Sequence, residues 1–174
     1  MSGIVIRPET PEDIPAISRV NEAAFGRPVE GELVIALRDR GALIVSFVAV
    51  VDNEVVGHIA FSPMTAEPPV PDVNLMGLGP VAVLPEHQAR GIGGLLIHEG
   101  MERCLELGCG AVLLVGHAEY YPRFGFSRAV DYEIACEFEA PDDAWMAAEL
   151  KPGTLSKLRG VTAHFHPAFG DFVE

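Results

Sequence analysis

The stretch QARGIGG, residues 88–94, stands between an apolar run that reads as a strand, LGPVAVLP (78–85), and one that reads as a helix, LLIHEGMERCLEL (95–107). Three glycines, Gly91, Gly93 and Gly94, therefore open a helix. Glycine inside a helix costs about 1 kcal/mol against alanine, so their clustering needs a reason other than helix stability. The first N–H groups of a helix lack intrahelical acceptors and carry the positive end of its dipole. Residues without Cβ let a phosphate come close to those groups. The stretch reads as a pyrophosphate cradle, with the Arg90 charge beside it. It is not a P-loop, because no G-x-x-x-x-G-K-[ST] occurs. It is not the dinucleotide fingerprint either, because the third glycine of that pattern would fall at Leu96.

Composition agrees with one mixed α/β domain. A length of 174 residues and a hydrophobic fraction of 49% support one sizeable core. The net charge of −13 gives no global field for nucleic-acid phosphates and favours cationic partners. No run approaches the roughly 18 apolar residues of a membrane span, and the N-terminus has no signal-peptide pattern. The cysteines, Cys104, Cys109 and Cys136, form no metal pattern and read as buried hydrophobes in a reducing, cytoplasmic compartment.

Along the chain, GIVIRP reads as a first strand. A helix is expected next, with Thr10 as N-cap and Pro11 at its first position. VEGELVIALRDRG reads as a second helix ending at Gly41. Two strands meet at an Asp52-Asn53 turn. VNLMGLGPVAVLP is a strand interrupted by Gly77, Gly79 and Pro80, where a bulge or splay is expected. AVLLVG reads as a strand buried on both faces. GFSRAVDYEIACEFE (125–139) reads as a strand or hairpin arm, APDDAWMAAELKPGTLSKL as loop with room for a short turn around Trp145 to Leu150, and RGVTAHFHPAF as a last strand.

The pattern Q-x-x-G-x-G at Gln88–Gly93, followed about thirty residues later by Tyr121, Gly125 and Phe126 in Y-x-x-x-G-F spacing, resembles the acetyl-CoA-binding core of the GNAT N-acetyltransferase superfamily. The core resemblance covers residues 75–127, and the order of elements extends it over residues 3–139. It implies a single α/β (α+β) domain, residues 1–174, with 140–174 as a C-terminal extension. A mixed, mostly antiparallel sheet of six to seven strands is implied, flanked by helices and splayed between strands four and five.

By this resemblance the cofactor is acetyl-CoA. Val81, Ala82 and Val83 would offer backbone to pantetheine, and an amide near Val81 would polarise the thioester carbonyl. Gln88, Ala89, Arg90, Gly91, Ile92, Gly93 and Gly94 would hold the pyrophosphate. Tyr121 matches the family's general acid, with Tyr120 as the neighbouring alternative. Arg123 is either a cofactor contact or a solvated side chain. The fourth strand carries no Glu or Asp, a departure that leaves the general base between His117 and His58. A second departure is the lack of an Asn after the fifth strand.

The implied reaction is transfer of acetyl to a primary amine on a small molecule or peptide, in a ternary complex. The missing carboxylate keeps a non-catalytic acyl-CoA sensor as the alternative. Residues 25–41 and 140–160 are expected around the acceptor, whereas Trp145, Met146 and HFHPAF either wall it or, the favoured reading, simply pack. No metal, nucleic-acid or membrane partner is expected, and the family's habit of dimerising leaves the oligomeric state open.

Overall fold

The computed structural model describes residues 3–171. The ends of the expected domain, residues 1–2 and 172–174, lie outside the described residues. In chain order the strands and helices are β1 (Val5–Pro8), α1 (Ile14–Phe25), α2 (Val29–Asp39), β2 (Val45–Val51), β3 (Glu54–Glu67), β4 (Leu75–Val83) and α3 (Ile92–Glu106). They continue with β5 (Ala111–Val115), β6 (Ser127–Arg128), β7 (Ala135–Cys136), β8 (Trp145–Glu149), α4 (Thr154–Lys157) and β9 (Thr162–His164).

The sheet runs β1-β2-β3-β4-β5-β8-β6, with β9 branching from the far end of β3 and pairing with β7. All neighbours are antiparallel except β4–β5 and β7–β9. The β2–β3 hairpin turns at Asp52 and Asn53, both at positive φ (51° and 62°). That is the backbone a two-residue hairpin needs, and Asp and Asn tolerate it best among residues with side chains.

Helices cover both faces of the sheet. On β3, Gly57 faces Ile92 and Leu96 of α3, whereas the next residue, His58, faces Asn21 of α1. Adjacent strand residues point to opposite faces, so α3 and α1 sandwich the sheet. One buried cluster joins α1 and α3 to β2–β4. A second, with Trp145, Leu113 and Phe165, lies under the C-terminal segment.

The first helix starts later than expected. Pro11–Asp13 form a 3-10 turn, and the α-helix begins at Ile14. Thr10 does not cap it through its hydroxyl. Asp13 stands at the N-cap without a side-chain cap bond, and its carboxylate instead accepts from the Thr10 N–H (2.7 Å) and from both prongs of the Arg7 guanidinium (2.7 and 3.0 Å). The hydrogen-bonded Arg7 holds the Asp13 carboxyl well below its usual range, at about 2.

A larger difference concerns residues 145–149, expected as loop. They form β8, inserted between β5 and β6 and buried at four of five positions. Residues 140–171 thus contribute a central strand of the sheet. Cys104 and Cys109 are buried, and Cys136 is half-buried.

Candidate active site

The site opens where β4 leaves β5. The two pair in parallel only from Leu75↔Ala111 to Gly77↔Leu113. Gly79 takes φ +150°, Pro80 lacks an N–H, and the register against β3 shifts between Ile59 and Phe61. Beyond this irregularity β4 stays paired with β3, as at Ile59↔Val81 and Gly57↔Val83. Its other edge, residues 78–83, faces no strand among the described residues. The resulting cleft has a volume of about 1140 Å³.

The start of α3 forms one wall. Gly91 stands at its N-cap with φ +82°, a conformation strained for any residue with a Cβ. The first helical bond runs from the Leu95 N–H to the Gly91 carbonyl (3.1 Å), which leaves the amides of Ile92, Gly93 and Gly94 without intrahelical acceptors. No acidic residue lies in that first turn. The Gln88 amide group donates to the Val83 carbonyl (2.9 Å), fastening the loop to the end of β4.

Gly93 and Gly94 serve a purpose the sequence alone did not suggest. A Cβ on Gly93 would stand 2.8 Å from Tyr120 Oη, and one on Gly94 would stand 3.2 Å from the Phe124 ring. Their bareness lets the aromatic segment after β5 close onto the helix start.

That segment is a 3-10 turn, Tyr121–Phe124, stopped by Gly125 at φ +91°. The His117 carbonyl accepts from the Tyr120 N–H (3.1 Å) and the Tyr121 N–H (3.4 Å). Tyr121 lies over Gly116 and meets Phe126 edge-on (centroids 5.8 Å apart). Burial, with Tyr120 nearby, pushes the Tyr121 phenol up to about 12. Tyr120 is less enclosed. Burial raises its pKa and Arg123 opposes the rise, with the Arg123 guanidinium 4.9 Å from the ring centroid.

The cleft brings together most of the residues expected there. Val81, Val83, Gln88, Ala89, Gly91, Ile92, Gly93 and Gly94 line it, and so do His117, Tyr120, Tyr121 and Arg123. Ala82 does not, because strand alternation turns its side chain to the other face, where it is 1% exposed. The Arg90 side chain is exposed and lies outside the lining.

His58 is excluded as a base. It is fully buried on the α1 face and absent from the lining. Its Nδ1 meets Asn21 Nδ2 (3.3 Å) and its Nε2 meets Ser46 Oγ (2.8 Å). Ser46 Oγ donates to Glu9, which also accepts from Arg38 (3.0 Å). Asn21 can only donate through Nδ2, so the chain of bonds fixes a neutral imidazole with its proton on Nε2. Burial above all, helped by the Arg38 charge, pushes the imidazolium pKa down to about 3.

The family model of the Acetyltransferase (GNAT) family matches residues 14–126, from the start of α1 through both motifs. The chain belongs to the GNAT acetyltransferase family. This GNAT acetyltransferase is 31% identical over 170 residues to the uncharacterized N-acetyltransferase YhbS of Escherichia coli K12, a match covering 97% of this chain and 100% of YhbS. It is 36% identical over 154 residues to the uncharacterized N-acetyltransferase YjhQ of the same strain, covering 83% of this chain and 84% of YjhQ. The crystal structure of Escherichia coli YhbS in complex with CoA superposes with a TM-score of 0.93, at 30% identity, over 99% of this chain and 95% of that one. A Brucella melitensis GNAT acetyltransferase crystallised with acetyl-CoA gives 0.79, at 36% identity, over 96% and 98%.

Of the segments expected around the acceptor, only part reaches the cleft. Phe25, Arg27, Glu30 and Leu33 line it from the α1–α2 region, and Phe165 and Phe169 line it from HFHPAF. Trp145 and Met146 instead lie in the core, each 1% exposed. Of residues 140–160 only Ala140 reaches the lining. Phe138 and Glu139 also line the cleft and were not expected there. Their signal was faint, a Phe ending the Ile134, Cys136, Phe138 alternation just before a turn.

Proposed function

We propose that this chain is a single-domain enzyme that transfers an acetyl group from acetyl-CoA to a primary amine, with Tyr121 as general acid. One observation carries the reading. The acceptor-free amides of Ile92–Gly94, the unpaired β4 edge and Tyr121 all meet in one cleft. The complexes of the Escherichia coli and Brucella melitensis relatives with CoA and acetyl-CoA support it.

The residues fit the cofactor. The helix start offers N–H donors, a dipole and no nearby carboxylate, which suits a pyrophosphate. The strand edge at Val81–Val83 offers backbone groups that suit the amides of pantetheine. Ala82 contributes through its main chain, since its side chain points away. Arg90 and Arg123 add positive charge on the rim and the wall. Bound there, acetyl-CoA supplies a thioester whose thiol has an ordinary pKa near 8.5.

Tyr121 stays protonated at neutral pH and so holds a proton for the departing sulfur. The amide of Val81 is the donor for the polarised carbonyl oxygen. His117, exposed at the cleft, takes the proton released from the attacking nitrogen.

Calorimetry with acetyl-CoA and thiol release with a panel of amines test this. The expected result is submillimolar binding and amine-dependent thiol release. Tyr121→Phe should lower kcat about 100-fold while leaving acetyl-CoA affinity unchanged. Absence of binding overturns the reading. Binding without thiol release from any amine makes the chain an acyl-CoA sensor instead.

A further inference from the structure

We infer that the acceptor is a monoamine carried on an aromatic or bulky apolar body. This inference rests on the acetyltransferase reading above and narrows its substrate. The acceptor wall is built of phenylalanine. Gly77, the last β4 residue paired with β5, would place a Cβ 2.9 Å from the Phe165 ring, so Phe165 sits at the fork of the cleft. Phe138 stacks on it (centroids 5.9 Å apart, 20° between planes) and Phe169 packs against it (4.9 Å, 35°). Phe25 and Leu33 line the same cleft from the α1–α2 side, and Phe25 is 40% exposed. Separate parts of the chain thus bring apolar side chains to one opening. Phe25 is exposed and Phe138 and Phe169 are half-buried, over a base of buried Phe165 and Leu33 (7% exposed each), and such a partly open apolar lining suits burial of another apolar group.

The charge of the lining narrows the class further. Glu30 is held by Arg27 (2.6 Å), which neutralises it. Glu139, next to Phe138, lines the cleft and makes no salt bridge among the described residues. One uncompensated carboxylate beside several aromatic faces suits one ammonium group. Carboxylate and ring quadrupoles both attract such a cation, and the rings also bury its apolar body. A polyamine or aminoglycoside carries several cationic groups, and among the described residues the lining offers one carboxylate outside a salt bridge.

The test compares kcat/KM for 2-phenylethylamine, spermidine and kanamycin at saturating acetyl-CoA, followed by thiol release. The expected result is a preference of at least about tenfold for 2-phenylethylamine. Phe25→Ser, at an exposed position, and Phe138→Ala should each raise KM for 2-phenylethylamine severalfold without changing kcat. Glu139→Gln should raise KM for 2-phenylethylamine and leave acetyl-CoA affinity unchanged. Equal or better turnover of spermidine or kanamycin overturns this inference and leaves the acetyltransferase reading standing. So does a KM effect of the two Phe variants that is the same for all amines. If acetyl-CoA binds and none of the three amines is consumed, this inference falls, and the acetyltransferase reading falls with it only when the wider amine panel also releases no thiol.

Discussion

His58 shows how burial decides what a titratable residue can do. The imidazole is neutral in the fold, with its pKa pushed down to about 3 from an ordinary 6.5. The unfolded chain binds a proton at that residue as pH falls through 6.5, and the folded chain does not. The contribution of this residue to stability is therefore complete above pH 6.5 and is lost progressively below it, until the folded group titrates. Asp13 acts in a different window. Its depressed carboxyl contributes fully above pH 3.8 and loses that contribution only as pH falls toward 2. Urea unfolding between pH 7 and pH 4.5 should then show a steep loss in the wild type and a clearly shallower one in His58→Gln. Identical slopes would show that His58 is not the proton-linked group.

At the scale of elements, β8 is the informative case. Its sequence, WMAAE, has two alanines and no β-branched residue, so local preference gives little sign of a strand. Position between β5 and β6, with burial at Trp145, Met146, Ala147 and Ala148, makes it one. The Trp145 indole N–H donates to the Ile134 carbonyl (2.9 Å), and the ring meets Phe165 edge-on (6.0 Å). Trp145→Ala should cost about 3–5 kcal/mol of stability, measured by urea unfolding followed by circular dichroism. Trp145→Phe keeps much of the packing but strands a buried carbonyl, so it should cost about 1–3 kcal/mol. A second element-level case is α3 on β3. A Cβ on Gly100 would enter the Phe61 ring, so Gly100→Ala should destabilise by about 1–3 kcal/mol in the same assay.

For the molecule as a whole, the parallel β4–β5 pair is the weak seam, because only three residue pairs join the two strands before they part. A ligand bound on the exposed β4 edge and the α3 start lies beside that seam. Any ligand that binds only the folded state stabilises it by about 2.7 kcal/mol at 100 times its Kd. For a chain of this size that corresponds to about 5–10 °C in Tm. Thermal unfolding with excess acetyl-CoA should show such a rise. An unchanged Tm under those conditions would count against binding at the cleft.

Much of the fold was legible because its signals are local. The Asp52-Asn53 turn, the apolar run of β5, the broken pattern at Gly79-Pro80 and the glycine-opened α3 each lie within a few residues. Those same signals located the helix start and the strand edge that line the cleft, since both present backbone groups whose availability local sequence controls. What the tertiary structure alone decided were contacts between distant residues. It turned His58 into the core, set Trp145 in a strand between β5 and β6, and gave Gly93 and Gly94 the task of receiving Tyr120 and Phe124. It also gathered Phe25, Phe138, Phe165 and Phe169 around one opening. Local preference sets which way the backbone turns over a few residues. Which side chains meet across a cleft depends on how strands far apart in sequence pair, and no short stretch of sequence records that.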